Sequence, residues 1–317
     1  MKIKKIRSFS VLLLATLLVS CSNIANLFAP PTPTPTLTPT LTPTPSPTPF
    51  PLLGKSLLDV TYCTMDGSPQ KLDIYFPDQG GPWPVVVYVH GGSWMTGDKA
   101  EAAGLAKWLN PLGYVVVSLN YRMYPAVRFP ALIEDPKCGL RFLRAHAVEY
   151  NLDPKHFAAW GASAGGHLVA LIGTSDASAG WDVGEYPDQS SRVQAVVDMS
   201  GPSDLTKMYP NYSLATVIMM AFGIKPELRV LSSPITYATA DDPPFLVIHG
   251  DKDPVVPVDQ GQLMYAALIK AGVSAKLVIV KNGLHDLTAA GAAPTSPTQD
   301  EINQMLLDFL AETLKGK

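Results

Sequence analysis

The chemistry of this chain centres on Gly161-Ala162-Ser163-Ala164-Gly165, where an apolar run from Phe157 to Trp160 gives way to a run with helical spacing. That pattern reads as strand, tight turn and helix. A serine at the apex of such a turn takes a positive or nearly positive φ, and glycines two residues to either side let strand and helix approach without Cβ clashes. The hydroxyl then stands clear of the sheet edge. The N–H of Ala164, which opens the helix, can donate to a developing oxyanion. A serine used in this way needs a base, an acid to orient the base, and further N–H donors.

Candidates for each stand at the ends of other apolar runs. His90-Gly91-Gly92-Ser93-Trp94 follows the run Val85 to Val89. Its consecutive glycines let the backbone turn N–H groups toward a ligand, so Gly92 and Ser93, with Gly91 as neighbour, can complete an oxyanion hole with Ala164. His90 itself reads as a structural residue that holds the loop. The segment His249 to Pro257 follows Phe245 to Ile248 and offers two acids, Asp251 and Asp253. Asp253 is the choice, because Asp251 directly follows Gly250 and is better placed to support the turn. His285, in Asn282-Gly283-Leu284-His285-Asp286, follows the last expected strand and is the candidate base. His146 and His156 flank a long helix and fit worse. His167 lies on the helix after the serine, where it packs or lines the rim.

The elements that must position these residues are strands alternating with helices. Leu57 to Met65 and Gln70 to Phe76 flank the turn residues Asp66-Gly67-Ser68-Pro69 and read as an antiparallel hairpin. Val85 to His90, Tyr114 to Leu119, Phe157 to Trp160, Val193 to Met199, Phe245 to Gly250 and Lys276 to Val280 read as buried strands. Glu101 to Leu109, Ala131 to Tyr150, Asp259 to Ala271 and Gln299 to Leu314 have helical periodicity. This alternation predicts an α/β protein with a mostly parallel sheet and helices on both faces. In such sheets ligands bind at the carboxyl ends of the strands, where the serine, acid and histidine segments fall.

Ahead of this body, Met1 to Cys21 has a basic front (Lys2, Lys4, Lys5, Arg7) and an apolar run from Val11 to Val19, too short for a typical membrane span. It reads as an export signal ending Leu18-Val19-Ser20-Cys21. The segment 22–51 is a linker, almost only proline and threonine from Pro30 to Pro51. Polyproline geometry would let that part reach roughly 70 Å. Residues 52–317 form one expected catalytic domain. Removing the signal's four basic residues takes the formal charge from −3 to about −7, which disfavours nucleic acid as a partner. Cys63 and Cys138 are the two cysteines left after Cys21. They could pair in an oxidising compartment, but two separate buried thiols read at least as well.

Taken together, His90-Gly-Gly-Ser-Trp94, Asn120-Tyr-Arg122, Gly161-Ala-Ser-Ala-Gly-Gly-His167, Ser233-Pro-Ile235, Asp242 to Asp253 and Val256-Pro257 resemble the esterase/lipase branch of the α/β hydrolases related to hormone-sensitive lipase. Within it they are most similar to the feruloyl and acetyl carbohydrate-esterase-like members that carry H-G-G-x-W. The resemblance covers about Leu57 to Leu310. It implies an α/β-hydrolase sheet of about eight strands, with Ser163 as nucleophile, His285 as base and Asp253 as its orienting acid. It also implies a serine esterase that works through an acyl-enzyme with no metal or organic cofactor. The serine–acid–histidine order along the chain is the order these hydrolases share. Two departures stand out: H-G-G-S in place of H-G-G-G, and Gly-Leu-His285-Asp in place of the common Gly-Gly-His-Gly. The end of the signal resembles a bacterial lipobox, which implies acylation of Cys21 and a membrane-anchored, extracytoplasmic lipoprotein; an ordinary secretory signal is the alternative.

A cap insert is expected at about 202–232, where Met208, Tyr209, Tyr212, Met219, Met220 and Phe222 could line a pocket or simply pack the cap onto the sheet. Trp94, His167, Tyr209 and Tyr212 are the candidate substrate contacts. Three functions compete: a serine esterase acting on short-acyl esters, including those of carbohydrates; an aryl-formamidase or peptidase-like hydrolase on the same fold; and a non-catalytic binding lipoprotein.

Overall fold

Eight strands make one sheet: β1 (Ser56–Met65), β2 (Ser68–Tyr75), β3 (Trp83–Val89), β4 (Val115–Leu119), β5 (Leu152–Ala162), β6 (Ala195–Met199), β7 (Phe245–Gly250) and β8 (Ala275–Val280). The computed structural model describes residues 51–208 and 214–316; Cys21, the export signal, residues 22–50 of the linker, Tyr209 and Tyr212 lie outside the described residues. The strand order is β1-β2-β4-β3-β5-β6-β7-β8. β1 and β2 are antiparallel, β2 pairs antiparallel with β4, and every later pairing is parallel. The hairpin closes through Asp66 (φ 50°) and Gly67 (φ 76°). Both central residues are left-handed, as a two-residue turn matched to strand twist requires.

The parallel strands are β-branched apolar runs such as Trp-Pro-Val-Val-Val-Tyr-Val in β3, suited to burial on both faces. Their period of two divides the core. Val85, Val87, Val89, Val115, Val117, Phe157 and Ala159 face one side, with α2 (Ala131–Ala145), α3 (Ala164–Thr174) and α6 (Asp259–Ala271). Val86, Val116, Ala158 and Trp160 face the other, with α1 (Ala103–Leu109) and α7 (Gln299–Lys315). On α7, Ile302, Leu306, Leu310 and Leu314 recur every four residues and are all buried. Each such side chain contributes about 2 kcal/mol by leaving water. Thr298 and Glu301 form a capping box that starts this helix.

The helix expected over Ala131 to Tyr150 ends at Ala145. His146 leaves helical geometry at φ −103°, ψ 17°, Ala147 N–H donates to Arg144 O in a tightened last turn, and Leu152 N–H reaches back to Ala147 O. Asn151 at φ 52° then turns the chain into β5. Two short helices, α4 (Ala215–Phe222) and α5 (Pro226–Leu231), lie within the expected cap. Met208 is buried, Met219 half-buried and Met220 exposed. The two cysteines are paired: Cys63 on β1 and Cys138 on α2 form a disulfide, with Cα atoms 6.4 Å apart. Strand parity and helix phase bring them together, a relationship no local pattern carries.

Candidate active site

The serine elbow is built by close approach. At Gly161 an added Cβ would lie 2.3 Å from Gly165 O, and at Gly165 an added Cβ would lie 2.0 Å from Val89 O. Any larger residue at either position would push α3 off the strands it crosses. Ser163 sits at φ 56°, ψ −120°, a strained conformation for a residue with a side chain. Its N–H donates to Met199 O at 2.8 Å, and its carbonyl accepts from His167 N at 3.0 Å. Both ends of the strained residue are therefore tied down.

β3 pairs directly with β5, with Val89 opposite Gly161, so the loop after β3 lies beside the elbow. A Cβ on Gly91 would meet Ala162 O at 2.9 Å and Ser163 Cβ at 3.5 Å. Gly92 (φ 97°), Ser93 (φ 54°) and Trp94 (φ 57°) form a left-handed run. The turn's own bonds use Met95 N and Thr96 N, which donate to Gly92 O. His90 is buried, donates from Nδ1 to Gly91 O at 2.9 Å and stacks on Tyr121 at 4.5 Å. Burial lowers its pKa, against the opposing pull of Gly91 O, Glu101 and Asp98. It fastens the loop, as expected from its place at the strand end.

At the other end of the site, His285 Nδ1 donates to Asp253 Oδ2 at 2.6 Å. The Asp253 side chain has no exposed surface, whereas His285 keeps 24 %. Asp253 Oδ1 accepts from Val255 N at 2.8 Å and Val256 N at 2.9 Å. Burial would raise this carboxyl, but hydrogen bonds from His249, His285 and the two amides outweigh it and hold the pKa well below the ordinary carboxylate range. Asp251 does different work: its Oδ1 accepts from Asn282 N at 2.6 Å and joins the β7 and β8 loops. Because Nδ1 of His285 is committed to Asp253, Nε2 is the nitrogen available as a base.

Trp94 and His167, expected as substrate contacts, are placed otherwise. Neither has exposed surface. They pack edge to face at 5.3 Å, and both meet Phe222 of α4, at 4.8 Å and 5.3 Å. His167 Nε2 donates to Ser232 O at 2.7 Å. Burial pushes its pKa down to about 4 despite that bond, so it is neutral at pH 7. Apolar packing between α3, the loop after β3 and α4 took both rings out of the rim. Phe222 also lines a cavity of about 340 Å³ with Phe129, Trp181, Leu228, Leu231 and Tyr237.

One contact was not legible from residue types. His249, at the end of β7, places Nε2 3.4 Å from Asp253 Oδ2 and donates to Val256 O at 2.9 Å. The signal was present in His249-Gly250-Asp251-Lys252-Asp253, but nothing in the string says that the imidazole turns inward. Among the described residues no group of three or more His, Cys, Asp or Glu is placed to hold a metal ion.

With this geometry in hand, the similarities to known proteins are informative. The BD-FAE family model matches residues 72–268. A probable carboxylic ester hydrolase, LipM, of Mycobacterium tuberculosis is 32 % identical over 247 residues, covering 74 % of this chain and 56 % of the relative. Esterase LipQ of the same organism is 34 % identical, covering 66 % and 52 %. The chain thus spans about half the length of these curated relatives. Among solved structures, a truncated carbohydrate esterase from gut microbiota superposes with a TM-score of 0.73 at 30 % identity, covering 83 % of this chain and 98 % of that one. Butyrate-bound esterase 2 of Thermogutta terrifontis superposes with a TM-score of 0.66 at 25 % identity, covering 80 % and 92 %. An eight-stranded, mostly parallel sheet, a glycine-flanked serine elbow and a family match across most of the folded body all point one way, and the chain belongs to the BD-FAE family of α/β-hydrolase esterases.

Proposed function

We propose that the protein is a serine-dependent carboxylic ester hydrolase in which Ser163, His285 and Asp253 act together. The observation that carries this reading is the 2.6 Å bond from His285 Nδ1 to the buried Asp253, at the same end of the sheet as the strained Ser163 elbow. His285 Nε2 takes the proton of the Ser163 hydroxyl as the oxygen attacks an ester carbonyl. The amides of Gly92, Ser93 and Ala164, with Gly91 shaping the approach, stabilise the oxyanion. His285 returns the proton to the leaving alcohol, and water repeats the attack on the acyl-enzyme. Asp253, kept anionic, stabilises the imidazolium formed in between. Relatives named as ester hydrolases and esterases support the reaction class.

For substrate, the reading is short acyl groups on bulky, partly polar alcohols such as sugars. The His90-Gly-Gly-Ser-Trp94 loop, the likeness to a carbohydrate esterase and the likeness to an esterase solved with butyrate bound support it. The lipobox-like Leu18-Val19-Ser20-Cys21 supports attachment to a membrane surface through Cys21, outside the cytoplasm. Rates on p-nitrophenyl esters of rising chain length, beside acetylated xylan-type sugars, test the substrate reading. Each methylene buried in an acyl tunnel would add about 0.8 kcal/mol, so a lipase gains steadily with length, whereas here kcat/KM should peak between acetyl and butyryl. A rise that continues to dodecanoyl, with no activity on acetylated sugars, would overturn it.

A further inference from the structure

Asp253 is gripped from two sides, and the proposed reaction uses only one of them. Its Oδ2 lies 2.6 Å from His285 Nδ1 and 3.4 Å from His249 Nε2. Val256 closes a ring between the acid and the second imidazole: its N–H donates to Asp253 Oδ1 at 2.9 Å, and its carbonyl accepts from His249 Nε2 at 2.9 Å. A carbonyl can only accept, so the hydrogen of a neutral His249 is on Nε2, the nitrogen that faces the carboxylate. The ring cannot turn away. His249 is fully buried, and a Cβ added to Gly261 of α6 would lie 2.9 Å from its Nδ1 and 3.2 Å from its Cβ. Glycine at 261 is what lets the helix close on the imidazole.

A packing role alone explains this poorly. His249 Nδ1 has no hydrogen-bond partner among the described residues, nor has Oδ2 of the buried Asp198 on β6. Asp198 stands opposite Val247 in register, and His249 lies two residues beyond Val247, so both side chains are on one face of the sheet. A Leu or Met would fill the space without leaving a polar nitrogen unpaired. What an apolar residue cannot supply is an Nε2–H that donates to Val256 O while the imidazole lies 3.4 Å from Asp253 Oδ2.

We infer that His249 is a positioning residue for ester hydrolysis: its Nε2–H holds the Val256 carbonyl, and with it the Val256 amide that grips Oδ1, so that the Asp253 carboxylate keeps Oδ2 on His285 Nδ1. The inference rests on the proposed Ser163–His285–Asp253 reading and deepens it. His249 touches no reacting atom and acts through the acid.

The test is a set of kinetic measurements on p-nitrophenyl acetate with wild type, His249→Met, His249→Gln, His249→Asn, Asp253→Asn and the His249→Met/Asp253→Asn double variant, each checked for folding by circular dichroism. Gln can present an amide N–H near the position of Nε2, whereas Asn is too short to do so. His249→Met should lower kcat by about 10- to 100-fold with KM within about twofold, and His249→Gln should recover most of the loss. In the Asp253→Asn background the Met substitution should cost little more, because residues that act through one another are not additive. Losses that multiply in the double variant, a change confined to KM, or a His249→Met enzyme as fast as wild type would each overturn the inference. If His249→Met does not fold, Gln and Asn decide: Gln clearly faster than Asn supports it, and equal rates overturn it. A silent Asp253→Asn would instead remove the underlying triad, whereas a damaging Asp253→Asn beside silent His249 variants removes this inference alone.

Discussion

Asp253 and His285 are thirty-two residues apart in the chain, yet their side chains meet at 2.6 Å because they follow the neighbouring strands β7 and β8. Asp251 stands two positions before Asp253 and spends its carboxylate on Asn282 N. The two acids therefore differ in their partners. Ser163→Ala and His285→Ala should each lower kcat by about 10⁴- to 10⁶-fold with little loss of folding, because members of such a triad act as a unit. Asp253→Asn should cost somewhat less and Asp251→Asn far less. A fluorophosphonate probe should label wild type and not Ser163→Ala, and labelling of the variant would take Ser163 out of the nucleophile role.

Asp198 and Asp253 should respond to pH in opposite senses. Burial raises Asp198 from 3.8 to about 6, with His249 and the Gly201 amide pulling the other way. The folded state thus holds this proton more tightly than the unfolded one, and stability falls as pH rises from about 4 through about 6. Asp253 is depressed, so its contribution is complete above the ordinary carboxylate range and is lost only as pH falls through its lowered pKa. Comparing Asp198→Asn with wild type by urea unfolding should show the variant gaining about 2 kcal/mol between pH 4.5 and pH 8. A difference that does not change with pH would mean that Asp198 has the same pKa in the folded and the unfolded chain.

Removing the disulfide should destabilise the domain without touching the site. The bridge closes 75 residues of chain, which on loop-closure entropy amounts to about 4 kcal/mol. Cys138→Ser should move the urea midpoint down by a corresponding amount, and reductant should have no further effect on that variant. Equal midpoints for oxidised wild type and Cys138→Ser would show that the bridge contributes nothing.

Phe222 joins α4 to the Gly91–Trp94 loop through Trp94 and to α3 through His167. Phe222→Ala should cost about 3 kcal/mol as a buried aromatic truncation, and should lower kcat as well, because Trp94 follows the loop's amide donors directly. Stability lost with kcat unchanged would separate the cap from the chemistry.

If Cys21 carries lipid, Cys21→Ser should release the protein to the soluble fraction or leave the signal unprocessed, and a palmitate analogue should label wild type alone. Soluble wild type without label would leave a secreted protein.

The sheet was legible because its strands are long apolar runs bounded by turn residues, and the contact between the candidate acid and base was legible because Asp253 and His285 each follow the carboxyl end of a strand. Boundaries were less so. α2 ends at Ala145 because a tightened turn and Asn151 redirect the chain, and neither is visible as a break in periodicity. Tertiary packing decided the rest. Trp94 and His167 have the polar atoms of binding residues but are buried beneath Phe222, and the inward turn of His249 depends on Gly261 of a helix a dozen positions later.

The disulfide has a further consequence, for the fidelity of oxidative maturation. Three cysteines allow three alternative bridges, each leaving one thiol over, whereas two allow a single outcome. Cys63 and Cys138 are the only cysteines after position 21. Acylation of Cys21 would take the third sulfur out of circulation before the body folds, so the correct bridge would form with no wrong partner to exchange with and no need for an isomerase to sort the pairs.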